Sequence, residues 1–122
     1  MKYLLLIPLL FLFKNERNDL VPGNYKSTED SYCNPQMIIY IKKYTKTGNF
    51  SFDIYRSNKK ITTGKLGIRT DDENQKILVM KNTVGIYRND SIIIQNSGNE
   101  MNQYHNFKNC KAKYLIFLKE RK

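Results

Sequence analysis

The residues able to do chemistry in this chain are few and scattered. His105 is the single histidine. A nucleophilic triad needs a hydroxyl or thiol, a base and an acid that orients the base, and no such set stands at recognisable spacing. Ser97 and Glu100 lie three apart, which is the spacing of a helix capping box. Asp71-Asp72-Glu73 gathers three carboxylates without the alternating spacing of a calcium loop, so it reads as a solvated turn, and Glu29-Asp30 reads the same way. Two cysteines and one histidine at these separations lack metal-ligand spacing. No glycine loop cradles phosphate and no dinucleotide fingerprint is present. Catalysis, a metal and a cofactor are not expected.

Binding chemistry is better represented. Gln36 to Ser57 reads as a β-hairpin. Phe50, Phe52 and Ile54 alternate with Ser51, Asp53 and Tyr55, the period of a strand with one buried face. Met37 to Tyr44 is dense in Ile and Tyr, which suit a pleated surface, and Lys46-Thr47-Gly48-Asn49 supplies the turn. If Ile39 and Ile41 point inward with the phenylalanines, then Tyr40, Lys42, Tyr44 and Tyr55 point outward. Such a face interleaves rings with charge, and it can stack on sugars or bases while holding an anion. Tyr and Lys are also ordinary residues for the wet side of a strand. Tyr104 and His105, in the longest connection of the chain, form a second candidate surface, because long connections in compact domains often carry function. The partners that fit are an anionic ligand, a glycan or an envelope protein.

The elements that must position these residues are strands. Besides the hairpin, Asn24–Ser27, Lys60–Arg69, Lys76–Lys81, Thr83–Tyr87, Ser91–Asn96 and Lys111–Lys119 read as strands, giving about eight at spacings near ten residues. Gly64 and Gly67 mark a bend where a closing sheet must curve. Ser97 to Phe107 reads as one short helix, with Met101, Tyr104 and Phe107 on one face. Regular short strands joined by polar turns predict an all-β domain, a small antiparallel barrel with a short helix before its last strand. In a closed barrel the first and last strands meet, which makes Cys33 and Cys110 neighbours. An even cysteine count in an exported chain predicts a disulfide between them.

Export is read from residues 1 to 13, where one Lys precedes an apolar run too short to span a bilayer. The chain therefore divides into a leader and tether, 1–21, and a single barrel domain, 22–122, restarting at Pro22-Gly23. The formal charge of +10 attracts anionic partners. It equally reflects composition: Lys, Asn and Ile total 16, 14 and 13, and no basic run exceeds two residues.

The leader resembles a bacterial lipoprotein signal, with Phe13 running into Lys14 where the family has its lipidated Cys. Gly23-Asn24-Tyr25 resembles the Gly-x-Trp opening of lipocalin-like barrels. In size, leader and single long-range disulfide the chain is similar to the small periplasmic lysozyme inhibitors, although none of their loop motifs is matched and no inhibitory residue carries over. These resemblances imply a small, basic, non-catalytic binding protein of the bacterial periplasm or cell envelope, or a secreted one. It would capture a ligand, or act as an inhibitor or immunity protein against an envelope enzyme. Membrane association is expected only through the leader. The rival expectation is an OB-like module for nucleic acid or glycan, and export and the disulfide speak against nucleic acid.

Overall fold

A computed structural model of the chain describes residues 19–44, 46–96 and 105–121. Nine strands follow one another: β1 Gly23–Ser27, β2 Met37–Lys43, β3 Phe50–Arg56, β4 Lys59–Lys65, β5 Gly67–Thr70, β6 Lys76–Met80, β7 Thr83–Arg88, β8 Ser91–Gln95 and β9 Tyr114–Lys119. Every pairing is antiparallel, and the sheet runs β4-β3-β2-β1-β9-β8-β7-β6-β5. The chain is thus a meander that curls until its first strand pairs with its last. It forms a nearly closed all-β barrel, as the regular strand spacing anticipates.

The ninth strand comes from the segment expected to be one. Lys60–Arg69 bends at Leu66, which is buried. The part before the bend pairs with β3, and the part after it pairs with β6. One bent stretch therefore belongs to both sides of the barrel and nearly closes it. Gly64 permits the bend by close packing: a Cβ there would lie 3.2 Å from the Phe52 ring and 3.1 Å from the Lys81 side chain. At the β2–β3 turn Gly48 takes φ of 75°, a conformation that costs glycine little, and Tyr44 N–H donates to the Asn49 carbonyl at 2.8 Å. Asn89 and Asp90, both with positive φ, form the two-residue turn between β7 and β8 that suits strand twist.

Inward-facing side chains fill the barrel. Tyr25, Met37, Ile39, Ile41, Phe52, Ile54, Leu78, Met80, Ile92, Ile94, Leu115 and Phe117 are wholly buried, as expected when a barrel of eight or nine strands is just wide enough for its own side chains. Phe107 joins them from a 3-10 turn, His105–Phe107, and meets Phe117 edge-on at 5.8 Å between ring centroids. The expected helix over Ser97–Phe107 is, in its described part, only this turn. Residues 97–104, and with them Tyr104, lie outside the described residues, as do residues 1–18, which make up most of the expected leader and tether, 1–21.

Both ends of the barrel are tied. At one, Leu20 is buried and Val21 is held from two sides. Its N–H donates to the Tyr87 hydroxyl at 3.3 Å and its carbonyl accepts from the Tyr25 hydroxyl. The packed region thus takes in Leu20 and Val21, just ahead of Pro22. At the other end Cys33 and Cys110 form the disulfide. They stand on the connections that leave β1 and enter β9, brought together because those strands pair. Arg56 donates from Nε to Asn109 Oδ1 at 3.4 Å and from its terminal nitrogen to the Asn106 carbonyl at 3.1 Å. Asn109 Nδ2 donates to the Pro35 carbonyl at 2.8 Å.

Candidate functional site

Alternation along β2 and β3 sends one set of side chains into the core and the other onto an outer face, and the strand register orders that face in rows. Lys42, Ser51 and Lys65 lie opposite one another across β2, β3 and β4. Asn24, Tyr40, Asp53 and Thr63 make the next row, across β1 to β4. Lys26, Ile38, Tyr55 and Lys60 make the third, with a register irregularity between Ile54 and Tyr55.

Asp53 organises the middle row. It is 2% exposed although it belongs to the outer set, because a short side chain on a central strand sits below the long ones flanking it. Its carboxylate accepts from the Thr63 hydroxyl at 2.6 Å and faces Lys42 Nζ at 3.4 Å and Lys60 Nζ at 3.9 Å. A buried carboxylate needs such partners. Asp53 in turn raises the pKa of the Lys42 ammonium, which also stands 5.8 Å from the centre of the Tyr40 ring. Ser51 is likewise buried, and its Oγ has no hydrogen-bond partner among the described residues. Leaving a buried hydroxyl unsatisfied costs about 1–3 kcal/mol.

The expected site residues on this face line two hollows, and Tyr40 also borders a larger one of about 620 Å³ with Gly23, Lys119 and Arg121. Tyr40 and Tyr55 line one of about 420 Å³ with Asn24, Ile38, Ser57 and Asn58. Lys42 and Tyr44 line another of about 310 Å³ with Asn49, Ser51, Thr63 and Lys65. His105 is exposed on its 3-10 turn. Its neighbour Asn106 borders a separate cleft with Lys60, Ile61 and Lys81, along the seam where β4 and β6 do not pair. His105 lines none of these hollows, so the two surfaces read from the sequence are separate. Among the described residues no group of three or more His, Cys, Asp or Glu is placed to hold a metal.

Sequence reasoning missed a second face. On the outside of β5 to β9 the register aligns Arg69, Ile77, Ile86, Ile93 and Ile116 in one row across five strands. Val79 and Val84 pair beside it, as do Gln95 and Tyr114. Val84 is 40% exposed, and Tyr114 and Leu118 are 50% exposed. The four isoleucines are half-buried, each shielded by its neighbours. A signal for this face exists in the chain. Ile77-Leu78-Val79-Met80, Ile92-Ile93-Ile94 and Leu115-Ile116-Phe117-Leu118 are continuous apolar runs, the pattern of strands covered on both sides.

Fold and faces together define a class: an up-and-down barrel with a filled interior, a disulfide at one end and two contrasting outer faces. Compared with known protein families, curated proteins and solved structures, the chain finds no significant match in any of the three. Among the described residues no helix is long and apolar enough to cross a membrane.

Proposed function

We propose that the protein is an exported, non-catalytic binding protein of the cell envelope that holds another protein on the aliphatic outer face of β6 to β9. The observation that carries this reading is the in-register row Ile77, Ile86, Ile93 and Ile116. Strands whose two faces are both apolar fold to have both faces covered, and contiguous exposed apolar surface marks an interaction site. The disulfide supports an oxidising compartment.

Charge indicates what kind of partner fits. On the outer set of β5 to β9 the charged residues are Arg69 and Arg88, whereas Lys76 and Lys119 pair with buried Tyr87 and Tyr25 and belong to the other set. Two copies of this face would bring like charges together, whereas a partner with carboxylates around an apolar centre complements them. Ligand capture inside the barrel loses ground, since the interior is filled by core side chains. The consecutive strand order also departs from the five-stranded Greek-key barrel of OB folds. Glycan stacking keeps one specific support, the hollow that Tyr40 and Tyr55 share.

Photo-crosslinking tests the reading. A photoreactive residue replacing Ile86 or Ile93 in the producing cells should trap one defined protein, and the same residue at Lys60, on the other outer face, should not. The purified partner should then bind the barrel directly. Equal trapping from both faces would count against the proposal. So would adducts with phospholipid alone, or a second copy of the chain as the trapped species.

A further inference from the structure

The hollow at the turn end of the hairpin face has a feature that core packing does not explain. Lys42, Ser51 and Lys65 are direct cross-strand neighbours on one face, so two lysines flank one serine along the row. That Ser51 hydroxyl is buried, lacks a partner among the described residues, and belongs to a residue lining the hollow. Lys42 has Asp53 at 3.4 Å, while Lys65 has no carboxylate within 4.0 Å among the described residues. From the structure we infer that this hollow is a binding site for a phosphate or sulfate monoester, the oxyanion set between Lys42 and Lys65 over Ser51.

The chemistry follows from the donors. Lys42, Lys65 and Ser51 all line the hollow and carry N–H or O–H donors, two of them positively charged, and hydrogen bonds to an ionised acceptor are the strong ones. Asp53 offsets part of the charge, so the preference for a phosphate or sulfate monoester over a carboxylate comes from its three terminal oxygens, one for each donor. The volume of about 310 Å³ exceeds what an oxyanion fills. Tyr44, Thr47 and Asn49 around it present a ring and polar groups suited to the sugar or other hydroxylated carbon skeleton bearing the ester. This site lies on the opposite set of strands from the aliphatic face and does not depend on protein docking.

Amide chemical shifts of the purified protein, followed at constant ionic strength, test it. The probes are inorganic phosphate, inorganic sulfate, glucose 6-phosphate and glucose. The expected result is saturable shifts centred on Asn49, Ser51, Gly64 and Lys65 with the three anions and none with glucose. Tighter binding of glucose 6-phosphate than of inorganic phosphate assigns the site to an ester, and equal or weaker binding assigns it to the free ion and overturns the monoester. Ser51→Ala and Lys65→Gln should each weaken binding about tenfold, the order expected for a charge-assisted hydrogen bond. Lys111→Gln, with the same change in net charge elsewhere, should alter it less than about twofold. Absence of saturation, or equal weakening by Lys65→Gln and Lys111→Gln, would overturn the site. Ser51→Ala removes one atom, and the same spectra show that the variant is folded.

Discussion

Single side chains on the two faces of β3 have opposite roles. Phe52 fills the barrel, and Phe52→Ala is expected to cost about 3–5 kcal/mol, as truncation of a buried aromatic does. Ser51 is its neighbour on the outer set, and its hydroxyl contributes nothing to folding that the structure shows. Ser51→Ala is expected to leave stability unchanged or slightly raised, since it removes an unsatisfied group. Urea unfolding of both variants checks the pair, and similar losses at the two positions would show that the faces are misassigned. Tyr25 gives a pH signature. Burial, first, and then the hydrogen bond with Tyr87 push its phenol well above the ordinary value near 10. In the unfolded chain that phenol ionises near pH 10, whereas in the fold it stays neutral. Its contribution is therefore complete below pH 10 and is lost as pH rises beyond it. Melting temperature should fall more steeply between pH 9.5 and about 11 for the wild type than for Tyr25→Phe. Equal slopes would mean that the phenol is not confined.

Among the elements, the disulfide and the bent strand decide whether the meander closes. The bridge links residues 77 apart, and by the chain-entropy model a loop of that length is worth about 4.5 kcal/mol at most. Cys110→Ala should lower unfolding free energy by about 2–5 kcal/mol, measured by denaturant titration beside the reduced wild type, which should match it. Gly64→Val should cost about 1–3 kcal/mol through overpacking against Phe52 and Lys81. This bend also marks a limit on what the sequence discloses. Phe50 to Tyr55 alternates cleanly, so the hairpin, its turn and its inward set are all legible. Lys60 to Arg69 was legible as strand, and Gly64 and Gly67 as a bend. The change of partner at Leu66 was not, because pairing depends on where distant strands lie and leaves no mark on local pattern.

At the scale of the molecule, closure of β1 onto β9 explains why Cys33 meets Cys110, and that much followed from strand count and order. The candidate site was legible in part. Outward placement of Tyr40, Lys42, Tyr44 and Tyr55 follows from period two, but the burial of Asp53 and Ser51 among them does not, because alternation alone assigns both to the wet side. The aliphatic face was hidden because runs such as Ile92-Ile93-Ile94 announce a strand without saying that one of its faces lacks a cover. What remains is a barrel with a filled interior, one charged and aromatic face, and one face of isoleucine and valine that carries Arg69 and Arg88.

That second face is the proposed docking surface. With the crosslinked partner purified, its affinity for the wild type should be compared with that for Ile86→Glu and for Lys60→Glu on the other face. A glutamate among the isoleucines should weaken binding at least about thirtyfold, as loss of a central anchor does, while Lys60→Glu changes it less than about threefold. Affinity that survives Ile86→Glu in a folded protein, or that Lys60→Glu reduces as much, would contradict the claim that the aliphatic face is the docking surface.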